Sequence, residues 1–395
     1  MPDFHGIQTV EASDGTRSIS TAATAVIGLV VTAPDAQADA FPLDRPVLIT
    51  NVEAAIGKIG AAGTARTALR AIANQARPII VLVRVAPGAG ADEEEIATAT
   101  NANVIGTTDE AGQKSGLQAL LAAEAQLGVK PRIIGAPGLD TKPVTTAMIV
   151  VTKKLRAMAY AAALGETVEE AITYADDFSA RELMLLYPDI RMTDEEGAIV
   201  TVPAAAAALG LRAAIDRDTG FWKTLSNVAL QGVLGLTRDI QWDITNSDSE
   251  AGLLNAAGIT ALVNANGGYR FWGNRTRSDT PLFIFESTTR TAQVLLDTIA
   301  AGLLWAVDKP LRPSLAKDIV ETINAKLREL KSAGALIGAN AWFDPERNTP
   351  DTLAAGKLWI DYDFTAVPPL EQLTLTQRIT DSYFADFARA LEEQV

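Results

Sequence analysis

Between about Thr24 and Arg191 the sequence repeats one pattern: a short apolar run bounded by Gly, Pro or polar residues, then a longer stretch with apolar residues at helical spacing. Residues 25–31, 46–50, 78–85, 132–134 and 182–187 read as buried strands, being short, rich in Val, Ile and Leu, and not alternating. Residues 64–76 and 115–127 read as helices. The second carries Leu117, Leu120, Leu121 and Leu127 at helical spacing and has Gly128 placed as its stop. Such alternation predicts an α/β layer around a largely parallel sheet. Two acidic stretches, 87–95 with the Thr/Asn-rich residues behind it and 193–197, read as solvated surface loops.

A Gly-, Asp- and Ser-rich patch at 246–252 suggests the main domain boundary. Beyond it, 259–263 is strand-like, a Gly-Gly turn precedes 269–272, and 281–285 reads as extended. Two helices are then predicted, at about 288–307 and 314–333, the latter with Ser314 as N-cap and Gly334 after its last turn. Leu315, Ile319, Ile323, Leu327 and Leu330 form its apolar stripe. That assigns Lys317, Lys326, Arg328 and Lys331 to an exposed basic side. Near the carboxyl end Leu373, Leu375 and Ile379 alternate with Thr374, Thr376, Arg378 and Thr380, the period of a strand. A short amphipathic tail with Tyr383, Phe384, Phe387 and Leu391 follows. At the amino end the segment with Phe4, Ile7 and Val10 also favours a strand, yet has few apolar residues to bury. Both ends therefore need a partner sheet.

The motifs for chemistry are missing or incomplete. No segment fits the phosphate-binding loop G-x-x-x-x-G-K-[ST], and the pattern starting at Gly88 places Glu93 where a third glycine belongs. The loop from Gly135 to Asp140 follows a strand, as ligand loops do in α/β sheets, though a plain turn explains it equally. The single histidine, His5, leaves no base for a Ser-His-Asp triad, and no G-x-S-x-G elbow occurs. Asp361 and Asp363 would share one side of a strand, but the aromatic residues around them fit sheet packing. Catalytic residues, cofactors and metal ligands are therefore assigned to none. With 34 basic against 48 acidic residues, a net charge of −14 repels phosphate backbones, so direct nucleic-acid binding is not expected. The apolar run 25–33 is about half of the ~20 residues that span a bilayer, so membrane insertion is not expected either. Absence of cysteine and of a basic, apolar leader fits a protein made and kept in the cytoplasm.

Three segments carry a further signal: Asn266-Gly-Gly-Tyr-Arg-Phe-Trp-Gly-Asn-Arg-Thr276, Leu358-Trp-Ile-Asp-Tyr-Asp-Phe364 and residues 367–384. They resemble the carboxyl-terminal domain of contractile-tail sheath proteins, the subunits that wrap the tail tube of myophages and R-type pyocins. His5-Gly-Ile-Gln-Thr-Val-Glu11 and residues 41–50 extend the likeness toward the amino end. The resemblance implies an amino-terminal arm (1–20), an α/β domain (21–250), a mixed α/β sheath core (251–364) and a carboxyl-terminal arm and tail (365–395). Tyr269, Arg270, Trp272, Asn274 and Arg275 would be its core motif. Phe4, Ile7, Val10, Leu373, Leu375 and Ile379 would be the strands lent to neighbours, and Lys317, Lys326, Arg328 and Lys331 would face the tube.

It further implies a homo-oligomeric helical sheath of stacked rings, six subunits per ring, with tube, baseplate and tail-terminator proteins as partners. The location is a virion tail or pyocin particle assembled in the host cytoplasm. Two rival readings are an α/β enzyme binding a small anionic ligand at Gly135–Asp140 and a non-contractile shell or tube subunit.

Overall fold

The computed structural model describes residues 18–384, 387, 389 and 390. Strands β1 (Ile27–Thr32), β2 (Pro46–Ile49), β3 (Ile80–Val85), β4 (Ile133–Gly135), β5 (Met158–Ala162) and β6 (Leu183–Tyr187) appear in chain order. A side sheet of β7 (Ile190–Thr193), β8 (Ile199–Val202) and β9 (Gly235–Leu236) follows. Then come β10 (Ile259–Ala265), β11 (Gly268–Trp272), β12 (Leu336–Phe343) and β13 (Ile360–Ala366).

The main sheet has eight strands in the order β11-β10-β6-β5-β4-β1-β3-β2. All interior pairs are parallel, and only the edge strands β2 and β11 run antiparallel. Every residue of β1, β3 and β6 is buried, as a parallel strand covered on both faces requires. Alternate side chains of β1 serve the two faces. Ile27, Leu29 and Val31 join one core, with the Ala65–Gln75 and Ala204–Asp218 helices. Val26 and Val30 join the other, with the helices Lys142–Leu155, Val168–Ala175 and Glu250–Ala256. The run Ala204 to Ala208 is fully buried, and a side chain at Gly210 would stand 2.8 Å from the Ile72 backbone. Small residues are what let those two helices approach so closely.

Several elements depart from the sequence reading. β5 is Met-Ala-Tyr-Ala-Ala, whose alanines carry little strand preference; its place between β4 and β6 overrides that. Residues expected to be an acidic loop form the helix Glu93–Ile105, because Asp92 caps the Glu95 amide at 2.8 Å and the carboxylates of Glu93, Glu94 and Glu95 sit at the positive end of the dipole. The predicted helix 115–127 breaks into Gly116–Ala119, a 3-10 turn and Ala123–Leu127, ending at left-handed Gly128. Residues 281–283 form a 3-10 turn led by Pro281 rather than an extended run. Nor does the sheet end near residue 250: Ile259 to Ala261 pair with Leu185 to Tyr187, so β10 and β11 complete it. Asn266 and Gly267, both at positive φ, form the two-residue turn between them.

The carboxyl-terminal unit consists of the helices Glu286–Gly302 and Pro313–Ser332 and the antiparallel pair β12–β13. Its core holds Leu295, Ile323, Leu327 and Leu336, with Phe221 inserted from the α/β part.

Helix Glu286–Gly302 is buried although polar, and two charge clusters explain this. Arg212 and Asp216 from helix Ala204–Asp218 meet Glu286 and Arg290 in a closed ring of alternating charge. Arg212 lies 2.8 Å from Asp216 and 3.3 Å from Glu286, while Arg290 pairs with Asp216. Tyr160 of β5 donates to Glu286 at 2.7 Å. Burial and the Glu286 charge hold that phenol in its neutral form, well above the ordinary tyrosine range. About two turns beyond Arg290, Asp297 receives Arg132 and, at 2.5 Å, Arg156. Removing one partner from such a buried set strands the others, at a cost of about 3–5 kcal/mol. Glu286→Gln should therefore lower the unfolding free energy by roughly that amount in a denaturant titration; a loss below about 1 kcal/mol would show that the ring does not hold the helix.

Candidate functional site

Among the described residues, the carboxyl-terminal segment and the β12–β13 pair are surfaces left without a partner. Described chain begins at Ser18, and its first residues are anchored on helix Glu286–Gly302. Ile19 is buried over Gly302, where any side chain would clash with it, and the Ala22 amide donates to Thr298 Oγ1 at 3.1 Å. Phe4, Ile7, Val10 and His5 lie outside the described residues. At the other end β13 stops at Ala366, and residues 367–381 enter no helix or sheet. Leu373 is 69%, Leu375 83% and Ile379 98% exposed. Arg275 holds the start of this segment by gripping both oxygens of Glu371 at 2.7 and 2.8 Å.

β12 and β13 pair only with each other among the described residues. Leu336, Ala339, Ala341, Ile360, Tyr362 and Phe364 pack into the core beneath, while Ile337, Trp342 and Asp363 face away. Two strands alone are marginal; the Asn324 side chain bonds both the N–H and the C=O of Ala341 on β12 at 2.8 Å, and no third strand among the described residues pairs with either outer edge.

On helix Pro313–Ser332 the stripe Ile319, Ile323, Leu327 and Leu330 is buried and Leu315 half-buried. Lys317, Arg328 and Lys331 are exposed, but Lys326 is not: it is 3% exposed, its ammonium 2.7 Å from Glu329. The reason is phase. Residues 319, 323, 326 and 330 recur at the helical period, so Lys326 belongs to the apolar seam; its stem is covered and only its tip reaches the rim. Asp318, Glu321 and Glu329 are exposed beside the three exposed cations. The outer face is therefore mixed in charge, not basic.

The segment containing Tyr269, Arg270, Trp272, Asn274 and Arg275 is the strap from sheet to helix. Trp272 meets Trp242 edge to face at 5.1 Å. Arg270 donates to the Ala265 carbonyl at 3.2 Å and to Asn227. Asn274 is buried, and its carbonyl accepts the Glu286 amide at 3.0 Å, starting the helix. The aromatics thus pack the body and the guanidinium groups are engaged within the chain, leaving no stacking surface for a base.

Comparison with known proteins assigns the chain. Residues 112–277 match the phage tail sheath protein central domain, 278–380 the phage tail sheath C-terminal domain, and 24–85 the tail sheath protein Gp18 domain III N-terminal region. The tail sheath protein of Escherichia phage P2 is 53% identical over 394 residues, 99% of each chain. The chain belongs to the phage tail sheath family. The major tail sheath protein of Serratia phage KSP20 is 45% identical, with 96% of each chain covered. Two solved structures share the fold at 19% identity. One is the sheath complex of the extracellular contractile injection system PVC, in a contracted state (TM-score 0.72, covering 97% of this chain and 99% of that one). The other is the contracted helical sheath of the anti-feeding prophage (TM-score 0.71, covering 95% and 98%).

As a sheath protein the chain is structural, not an enzyme, and its geometry at the loop proposed for a ligand agrees. Leu209 fills the space beside Gly135, and Pro203 and Thr64 lie against Gly138. Asp140 is buried and accepts the Ala162 amide at 2.7 Å, so it braces the sheet instead of facing a ligand. Nor is the helix after Gly88 open to an anion, since Asp92 and Glu95 already occupy its amides.

Burial raises the Asp140 carboxyl from 3.8 to about 6. Between those values the folded subunit binds a proton that the unfolded chain has released, so this group makes stability fall as pH rises through the window. Asp140→Asn keeps the acceptor but removes that dependence. Relative to the variant, the native subunit should lose roughly 2 kcal/mol between pH 4 and pH 7; parallel stability curves for the two proteins would refute the assignment.

Proposed function

We propose that this sheath protein is the repeating subunit of a contractile cylinder that polymerises helically around a tail tube. It joins its neighbours by lending terminal strands to their β12–β13 pairs, and contracts from a metastable extended lattice. The observation that carries this reading is the exposure of Leu373, Leu375 and Ile379 in a chain whose β12–β13 pair meets no third strand among the described residues. Strand addition satisfies both at once, with main-chain hydrogen bonds giving attachment and the alternating leucines giving register. Subunits that meet through non-identical patches build an open helix unless the rotation closes. That is the symmetry of a sheath, taken here as stacked rings of six bounded by baseplate and terminator proteins.

Contraction needs no fuel under this reading. The extended lattice is a kinetically held packing, and release lets the difference in interface energy act. About 1–3 kcal/mol per subunit, a typical coupling energy, sums to substantial work over a tail. The similar PVC and anti-feeding prophage assemblies are sheaths in contracted states, which supports the reading. The particle is taken to be a phage virion tail, assembled in the host cytoplasm.

Deleting residues 1–17, which spares the Ile19 anchor, should leave a folded subunit with an unchanged melting temperature that forms no cylinders in negative-stain micrographs. Normal cylinders from that truncation would overturn the strand-lending model. Tube contact is assigned to the exposed Arg328 and Lys331. Reversing both to glutamate should weaken assembly on tubes more than assembly of empty sheath, and the difference should shrink as salt is raised. Equal effects on both would remove these residues from the tube contact.

A further inference from the structure

A groove of about 540 Å³ opens where β12 ends and β13 begins, beside the first turns of helix Pro313–Ser332. Its apolar lining includes Leu311, Phe343, Leu353 and Leu358, and Arg312 and Lys317 stand among its walls. Phe343 is 38% exposed and Leu353 and Leu358 are only half-buried. Apolar side chains of this size around a concave surface call for an apolar partner.

We propose that this groove receives the amphipathic tail of a second copy, with Phe384 and Phe387 as its anchors. The inference rests on the sheath reading and adds to it a second joint, separate from strand addition. Tyr383, Phe384 and Phe387 are 74%, 72% and 64% exposed. They recur with Leu391 at the spacing that places them along one side of a helix, and residues 384, 387, 389 and 390 are helical. Such a tail is an anchor of the helix-in-groove kind.

Charge favours the match. From residue 381 onward the tail carries Asp381, Asp386, Glu392 and Glu393 against a single cation, Arg389, and around the groove Arg312 and Lys317 outnumber the one acid, Glu321.

Strand addition between copies, with the arm's root turned away from its own groove, points to another copy as the source of the tail. The arm leaves β13 at Ala366, the end away from the groove, and turns toward Arg275 through Glu371. Seven strand residues separate the two ends, about 23 Å. A neighbour's arm running antiparallel along β13 ends at the groove side instead. From Ile379, the five residues to Phe384 then reach as far as about 17 Å, enough to place the ring over Leu353.

The chain has no cysteine, so a cross-link can be read without background. Two single variants, Phe384→Cys and Leu353→Cys, are mixed, assembled and oxidised with diamide. The expected product is a disulfide-linked dimer that forms in cylinders of the mixture and not in dispersed subunits or in cylinders of either variant alone. In parallel, Phe384→Asp with Phe387→Asp should raise the concentration for half-assembly at least about tenfold while leaving the subunit's melting temperature unchanged. Intact cylinders without the cross-link would overturn the groove assignment and leave the sheath reading standing. So would a cross-link within dilute monomers of the double variant Phe384→Cys/Leu353→Cys, since it would place the tail in its own groove. Failure of the unmodified protein to form cylinders would instead overturn the sheath reading, and this inference with it.

Discussion

The ring of Arg212, Asp216, Glu286 and Arg290 decides how the rest of the subunit behaves. Four charges shut away from water are tolerable only while each faces its opposites, so helix Glu286–Gly302 cannot slide along helix Ala204–Asp218 without stranding one of them. The Asp297 cluster fixes the same helix again near its middle. Desolvation presses Arg132 toward losing its proton, and the Asp297 charge opposes this. Two such fastenings along one helix give a single rigid body from two halves of the chain. The root of the amino-terminal segment lies on that helix, at Ile19 and Ala22, and the strap leading into it grips the carboxyl-terminal segment through Arg275. A pull on either end is thus delivered to the sheet, not absorbed by a hinge.

This divides the molecule sharply. Inside, the charged groups of the connecting helix, Glu286, Arg290 and Asp297, find opposite charges, and one neutral hydroxyl, that of Ser287, is buried there without a hydrogen bond. At the periphery, leucines and phenylalanines stand in solvent, and the two-stranded sheet meets no third strand among the described residues. A monomeric protein gains nothing by keeping both, because burying those side chains would stabilise it and closing those edges would protect it from aggregation. In the proposed assembly the mismatch is resolved between copies, and a rigid body with loosely tethered ends can change its neighbours' angle without breaking the joints.

The sequence made the parallel sheet legible because fully buried strands announce themselves as apolar runs, and the Asn-Gly-Gly turn placed the β10–β11 hairpin. It hid β5, whose alanines are selected by crowding between two strands and not by backbone preference. It hid the Glu93–Ile105 helix behind acidic residues that read as a loop yet serve as cap and dipole partners. Lys326 was misplaced for a related reason: sorting the helix by charge ignored the phase that puts residue 326 in line with Ile319, Ile323 and Leu330. The buried ring was invisible because its two halves, Arg212 with Asp216 and Glu286 with Arg290, lie 74 positions apart in sequence and become partners only when the helices cross. Residues 367–381, by contrast, read as partnerless and enter no helix or sheet, since alternation without a neighbouring turn or second strand leaves nothing local to pair with.

Net charge adds a constraint on how copies can meet. Subunits carrying −14 each repel one another, and screening over about 8 Å at physiological salt leaves contacts at shorter range exposed to that repulsion. Joints made of carboxylates would be the wrong chemistry. The proposed ones avoid it: β12, Leu-Ile-Gly-Ala-Asn-Ala-Trp-Phe, has no charged residue, and residues 373–380 contain only Arg378. Where β13 brings Asp361 and Asp363 to the shared sheet, the one charge on the arriving strand has the opposite sign. Where the tail brings its acids, the receiving groove supplies Arg312 and Lys317 against one acid, Glu321. An acidic subunit can therefore stay dispersed while its ends are free and still close tightly once they are placed, because repulsion is carried by the body and attraction by the few segments from which acidic charge is missing or matched.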